Sequence, residues 1–207
     1  MELRDALTQI AEIRLRVAET ELFRGYRALP VAASGALAIL AALMQPMLVP
    51  DATADPTAYL KLWLTVAALS IAINVISLAL RYHLATNSLA REGIRLAVTQ
   101  FAPCVLAGAL LTCVLARYPD QVALLPGLWQ IIFSLGLFAS CRLLPPTTFL
   151  IAVGYLACGV LSLALSHQGL ALSPWLMGLP FGAGQLLTAA MLYCNFERHN
   201  EQTEPRP

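Results

Sequence analysis

The chain has 207 residues, 58% hydrophobic and only 12% charged, with a formal net charge of +1 and a mean hydropathy of +0.70. Soluble domains carry roughly a quarter charged residues, so this composition excludes one and leaves a helical membrane bundle. The small net charge, segregated along the chain, forms no basic patch, and direct nucleic-acid binding is not expected.

The first element is polar. From Glu2 to Phe23, Leu3, Leu7, Ile10, Ile13 and Val17 recur at spacings of three and four, and no Gly or Pro intervenes before Gly25. That pattern predicts an amphipathic cytosolic helix over 1–25. Glu12 and Arg16 form an i,i+4 pair on it. Through Arg27, five Arg (Arg4, Arg14, Arg16, Arg24, Arg27) balance five acids (Glu2, Asp5, Glu12, Glu19, Glu21). The segment therefore lacks the basic excess of a helix that lies on anionic lipid. Docking to a cytosolic or membrane protein, self-association, and packing on the chain's own cytosolic loop remain open. About 25 mostly polar residues precede the first apolar run, so a cleavable signal is not expected.

Six apolar runs follow, at 26–48, 59–80, 96–116, 122–141, 147–166 and 175–194. Each is long enough, at about 1.5 Å per residue, to cross a hydrocarbon core of about 30 Å. The expected fold is an all-α membrane protein: a cytosolic helix over 1–25, a six-helix transmembrane bundle over 26–194 and a cytosolic tail over 195–207. Reading the ends alternately places eleven Arg on one face (Arg4, Arg14, Arg16, Arg24, Arg27, Arg81, Arg91, Arg95, Arg142, Arg198, Arg206) and only Lys61 and Arg117 on the other. By the positive-inside rule both termini are expected in the cytosol.

Between the second and third runs, residues 81–95 read as the one long connection inside the bundle. Asn87 or Ser88 is positioned to cap a short helix there. Arg81, Arg91 and Arg95 are candidate contacts for anionic headgroups, or for a phosphate-bearing ligand. The outer connections are spare, with Pro50, Asp51, Asp55 and Pro56 in the first and Pro119 in the second. A large external ligand has nothing to bind.

Inside the spans, no Asp, Glu, Arg or His falls near mid-depth, and Lys61 can reach the interface from the start of the second run. Coupled ion transport loses its usual groups. His83, His167 and His199 have no helical-spaced partner, so no metal or haem ligand set is evident and no cofactor is expected. The five cysteines, Cys104, Cys113, Cys141, Cys158 and Cys194, show no CxxC spacing and read as small packing residues. Neutral polar residues remain: Asn74, Gln130, Ser134, Tyr155, Gln185 and Thr188. They are either interhelical glue or the lining of a pocket.

Small residues mark where helices should touch: Gly178 and Gly182 form GxxxG, Gly184 and Thr188 form a second small pair, and Gly154 and Gly159 thin the fifth span. Pro103, Pro126 and Pro180 fall within the runs, each freeing a carbonyl one turn earlier and allowing a kink if a donor is near. Leu125-Pro126-Gly127-Leu128-Trp129-Gln130 echoes Leu179-Pro180-Phe181-Gly182-Ala183-Gly184-Gln185 with one gap, which would be a parallel repeat pairing Gln130 with Gln185.

Ile10-Ala11-Glu12-Ile13-Arg14 running into Phe23-Arg24-Gly25-Tyr26, Pro103 with Ala107-Gly108-Ala109-Leu110-Leu111, Leu128-Trp129-Gln130-Ile131-Ile132-Phe133-Ser134-Leu135-Gly136-Leu137, and Phe181-Gly182-Ala183-Gly184-Gln185 before Phe196-Glu197-Arg198 carry a resemblance. Over most of its length the chain resembles uncharacterised bacterial six-span inner-membrane proteins with an N-terminal cytosolic amphipathic helix. The resemblance implies the layout above. Members often carry an acid in the fifth span and a His in the sixth, where this chain has Ala157 and Gln185. No activity is established for the group, so no residue role carries over. Three readings of function stay open: a non-catalytic interaction or regulatory module, a small-molecule or lipid transporter with a neutral polar pathway, and a lipid-modifying membrane enzyme. A continuous polar cavity lined by Asn74, Gln130 and Gln185 would favour transport, and a solid interior the module.

Overall fold

A computed structural model describes residues 28–84, 88–141, 147–167 and 170–194. The expected helix over 1–25 and the tail over 195–207 lie outside these residues. The described residues are all-helical, with six helices long and apolar enough to cross a membrane: α1 (Ala28–Leu48), α2 (Pro56–Leu84), α3 (Ser88–Leu115), α4 (Leu125–Ser140), α5 (Thr147–Ala164) and α6 (Pro174–Leu192). A 3-10 turn, Pro119–Leu124, leads into α4 and shares its span. Helices adjacent in the chain pack together except α2 and α3, which have little contact, and α6 returns to α1, giving an up-and-down bundle parted between α2 and α3. The α1–α6 and α4–α5 contacts are the most extensive.

Local chemistry explains several ends. At the start of α2, the Asp55 carboxylate accepts the Ala58 N–H at 2.9 Å, and Pro56 supplies a first helical residue whose missing N–H costs nothing there. Asp51 accepts the Thr53 and Ala54 N–H groups, each at 3.0 Å, and the Thr53 hydroxyl at 2.6 Å. Those bonds hold its carboxyl below the usual carboxylate range. Pro126 lies in the first turn of α4 rather than inside it, where it frees no helical carbonyl. Pro103 and Pro180 are inside α3 and α6, as is Pro46 inside α1.

The expected connection at 81–95 is mostly helix: α2 runs to Leu84 and α3 already begins at Ser88, so Leu89 belongs to α3 and not to a separate short helix. A helix need not stop where the apolar run stops, because its backbone bonds are internal and survive in headgroups or water. At about 1.5 Å per residue, the 29 residues of α2 span about 43 Å, well beyond the hydrocarbon core.

The core is layered along the bundle axis. At the Lys61 end, Ala38, Ala41, Ala42, Tyr59, Leu60, Trp63, Val122, Leu125, Leu172 and Met177 form one cluster joining α1, α2, α4 and α6. Toward the Arg81 end the core divides. One part, Val31, Ala189 and Leu192, joins α1 to α6; the other gathers Leu137, Ala152 and Tyr155 with Phe101, Phe133 and Phe181.

Candidate functional site: interior amides and an aromatic layer

Close backbone approach sets the geometry of the interior. A Cβ on Gly178 would strike the Ala42 Cβ, one on Gly182 would strike Ile39 Cγ1, and one on Gly35 would lie 3.0 Å from the Gly182 carbonyl oxygen. The GxxxG pair thus sits in the α1–α6 seam, facing Gly35, Ala38 and Ala42. Gly159 lies in a second seam, where a Cβ would be 2.8 Å from Ile131 Cγ1 and 2.9 Å from the Gly127 oxygen. Gly184 carries the Tyr155 ring, whose Cζ would be 2.6 Å from an added Cβ. Gly154 is different: among the described residues nothing lies within 4 Å of its Cβ position, and it makes no close helix contact there. A small residue permits close approach but does not compel it.

Gln130 is fully buried on α4. Its Nε2 donates to the Leu176 carbonyl at 2.7 Å and lies 3.4 Å from Ser162 Oγ on α5. The acceptor is the one that Pro180 leaves open, since residue 180 has no N–H to return to residue 176. A side-chain amide on α4 therefore completes the hydrogen bonding of a broken turn in α6. The Gln130 Oε1 has no hydrogen-bond partner among the described residues.

Asn74 Nδ2 donates to Ser34 Oγ on α1 and to the Ser70 carbonyl, both at 2.8 Å. Gln185 stands beside Gly35 on the same stretch of α1, half-buried, with no side-chain hydrogen bond among the described residues. Leu176 precedes Gln185 by nine residues of α6, about 13 Å along the axis, so Gln130 and Gln185 do not meet. The parallel echo in the sequence does not put its two amides at one level. Ser134 and Thr188 turn back on their own helices, donating to the Ile131 and Gly184 carbonyls, each at 2.7 Å, and neither ties two helices.

Between the Gln130 and Gln185 levels lies an aromatic layer. Ring centroids of Phe133 fall 4.8 Å from Tyr155, 5.4 Å from Phe101 and 5.4 Å from Phe181, with the edge-on or tilted geometry that aromatic pairs prefer. Tyr155 is 3% exposed and its hydroxyl has no hydrogen-bond partner among the described residues. Among the described residues no group of three His, Cys, Asp or Glu gathers as a metal site.

Sequence reading missed the tightest polar knot. Gln45, 2% exposed, donates from Nε2 to the Leu172 carbonyl at 2.8 Å and accepts the Trp63 indole N–H at 2.9 Å. One side chain thereby joins α1, α2 and the turn before α6. Its signal was present: Gln45 is the lone amide in the first apolar run. Likewise the Trp129 indole donates to Thr112 at 2.8 Å and fastens α3 to α4. Buried indole N–H groups need acceptors, so each Trp was a pointer to a polar partner on a neighbouring helix.

The three Arg stand at the far end from Lys61. Arg81 is half-buried on α2, while Arg91 and Arg95 are exposed on the first turns of α3; the Arg91 guanidinium lies 5.7 Å from the Tyr82 ring centroid. Comparison with protein-family models, with curated proteins and with solved structures gives no match.

Proposed function

We propose that this chain is a multi-pass protein of a bacterial cytoplasmic membrane, with both termini in the cytosol, acting as a non-catalytic interaction or regulatory module. The carrying observation is that three interior amides donate their hydrogen bonds to the bundle itself. Gln45 binds Trp63 and Leu172, Gln130 binds Leu176, and Asn74 binds Ser34. The aromatic layer lies between the Gln130 level and the Gln185 level, which supports a fastened interior over a continuous polar path. A bundle fastened in this way suits a platform that presents the 1–25 segment to a protein partner or a second copy.

Two measurements test the reading. Cysteine labelling should find residue 53 outside and residue 203 inside; any other pattern rejects the topology. Deleting residues 1–25 should leave the bundle inserted but change its assembly size or its co-purifying partners, and unchanged assembly rejects the docking role. A small-molecule or lipid transporter is the second reading, favoured by two amide groups without a hydrogen-bond partner among the described residues, the half-buried Gln185 side chain and the Gln130 Oε1. Loss of flux on replacing either amide, with thermal stability intact, would favour it.

A further inference from the structure

Gln130 on α4 and Ser162 on α5 stand side by side in the bundle, 0% and 2% exposed, and each keeps a hydrogen-bonding capacity that no described residue uses. The Gln130 Oε1 is the open acceptor. Ser162 supplies the open donor. The buried hydroxyls of Ser34, Thr112, Ser134 and Ser140 each donate to a carbonyl three or four residues back on their own helices, an ordinary outlet for a hydroxyl in a helix. Ser162 does not: its hydrogen bonding among the described residues is the 3.4 Å contact from Gln130 Nε2, in which it accepts. Its O–H is left over.

A buried acceptor and a buried donor this close that do not meet require a third group between them. The hydroxyl does not bond Oε1 directly, and covalent geometry limits the gap. The oxygen and nitrogen of one amide are roughly 2.2 Å apart, so the 3.4 Å contact at Nε2 puts Oε1 within about 5.6 Å of Ser162 Oγ. One water, with two bonds of about 2.8 Å each, spans that distance. The Leu176 carbonyl on α6 is 2.7 Å from the same Nε2 and therefore within about 5 Å of Oε1. Since Pro180 brings it no N–H, it has a lone pair to spare. A water placed among the three accepts from Ser162 and donates to Gln130 and Leu176, and three bonds are what a buried water usually makes. The chemistry suits a neutral occupant, because α4, α5 and α6 carry no Asp, Glu, Lys, Arg or His.

We propose that Gln130 Oε1, the Ser162 hydroxyl and the Leu176 carbonyl bind one structural water where α4, α5 and α6 meet, beside the turn that Pro180 breaks. Gln130 then serves the bundle with both ends of its amide. The inference rests on these three groups alone, and holds or fails separately from the docking role of the 1–25 segment.

The full chain in nanodiscs, in a density map that resolves ordered waters, should show one isolated peak within about 3.2 Å of both Gln130 Oε1 and Ser162 Oγ. No peak, a direct bond from Ser162 to Gln130 Oε1, or density larger than one water overturns the proposal, the last by making this a solute site. Thermal unfolding gives a second readout. Ser162→Ala should lower the melting temperature by about 2–4 °C, because the bridge loses its donor. A dry, unpartnered hydroxyl is a cost where it stands, so a melting temperature unchanged or raised by its removal overturns the proposal. In a Gln130→Leu chain, where the bridge has already lost its acceptor, the same replacement should cost clearly less. An equal loss there would mean that Ser162 acts apart from Gln130, and overturns the bridge.

Discussion

α1 with α6 and α2 with α3 are both antiparallel pairs of apolar helices, and hydropathy predicts the wrong pair to be buried. α2 has the most apolar window of the six and α6 the least, yet 6% of the α2 window is buried against 28% for α6 and 39% for α1. In a bilayer, lipid is as apolar as leucine, so hydrophobicity drives no helix onto another. What differs is the register of small residues. Gly35, Ala38 and Ala42 face Gly178 and Gly182, which lets two backbones meet, whereas α2 and α3, with Leu64, Ile71, Val75, Val98 and Val105 all exposed, have little contact and leave a parting between them. Polar ties follow the same division: Gln45 and Trp63 fasten α2 at its first turns, and farther along Asn74 holds it to α1 rather than to α3.

The hardest test of this contrast is to make the seam resemble the parting. Gly182→Leu should cost about 3 kcal/mol by overpacking against Ile39, read as a fall in thermal stability in detergent, while Gly154→Leu should change little because its Cβ position is open. Equal effects would show that small residues do not decide where these helices meet. Next in size is the repair of the α6 break. Gln130→Leu should cost about 1 to 2 kcal/mol by leaving the half-buried Leu176 carbonyl without its donor. In a Pro180→Ala background the restored backbone N–H should make the same change milder, so a double-mutant cycle in thermal unfolding reads the coupling. Additive effects would mean that Gln130 serves something other than the broken turn. On the parting side, Leu106→Ala, at a residue 61% exposed, should shift stability by no more than about 0.5 kcal/mol.

The smallest effect belongs to the turn that joins the two regions. Asp51 should titrate below the ordinary value of 3.8 because three hydrogen bonds favour its charged form. A carboxyl lowered on folding contributes in full above its unfolded value and loses that contribution as pH falls through the folded one. The order of the 51–54 turn should therefore persist above pH 3.8 and loosen below it. Carboxyl chemical shifts across that range would show it, and Thr53→Ala should move the midpoint back toward the ordinary value.

The sequence by itself determined the number and extent of the spans to within a few residues, because a run of about 20 apolar residues has one stable form in hydrocarbon. It also marked Gly178, Gly182 and Pro180 as points of close approach and of a broken turn. Tertiary structure alone decided the partners: that Gln130 and not Gln185 answers Pro180, that Asn74 reaches Ser34, that Gln45 gathers Trp63 and Leu172, and that Gly154 faces outward beside a buried Gly159. Local pattern fixes a helix because its hydrogen bonds are local. Which face meets which neighbour depends on the depth and rotation of two helices together, and no single run of residues carries that information.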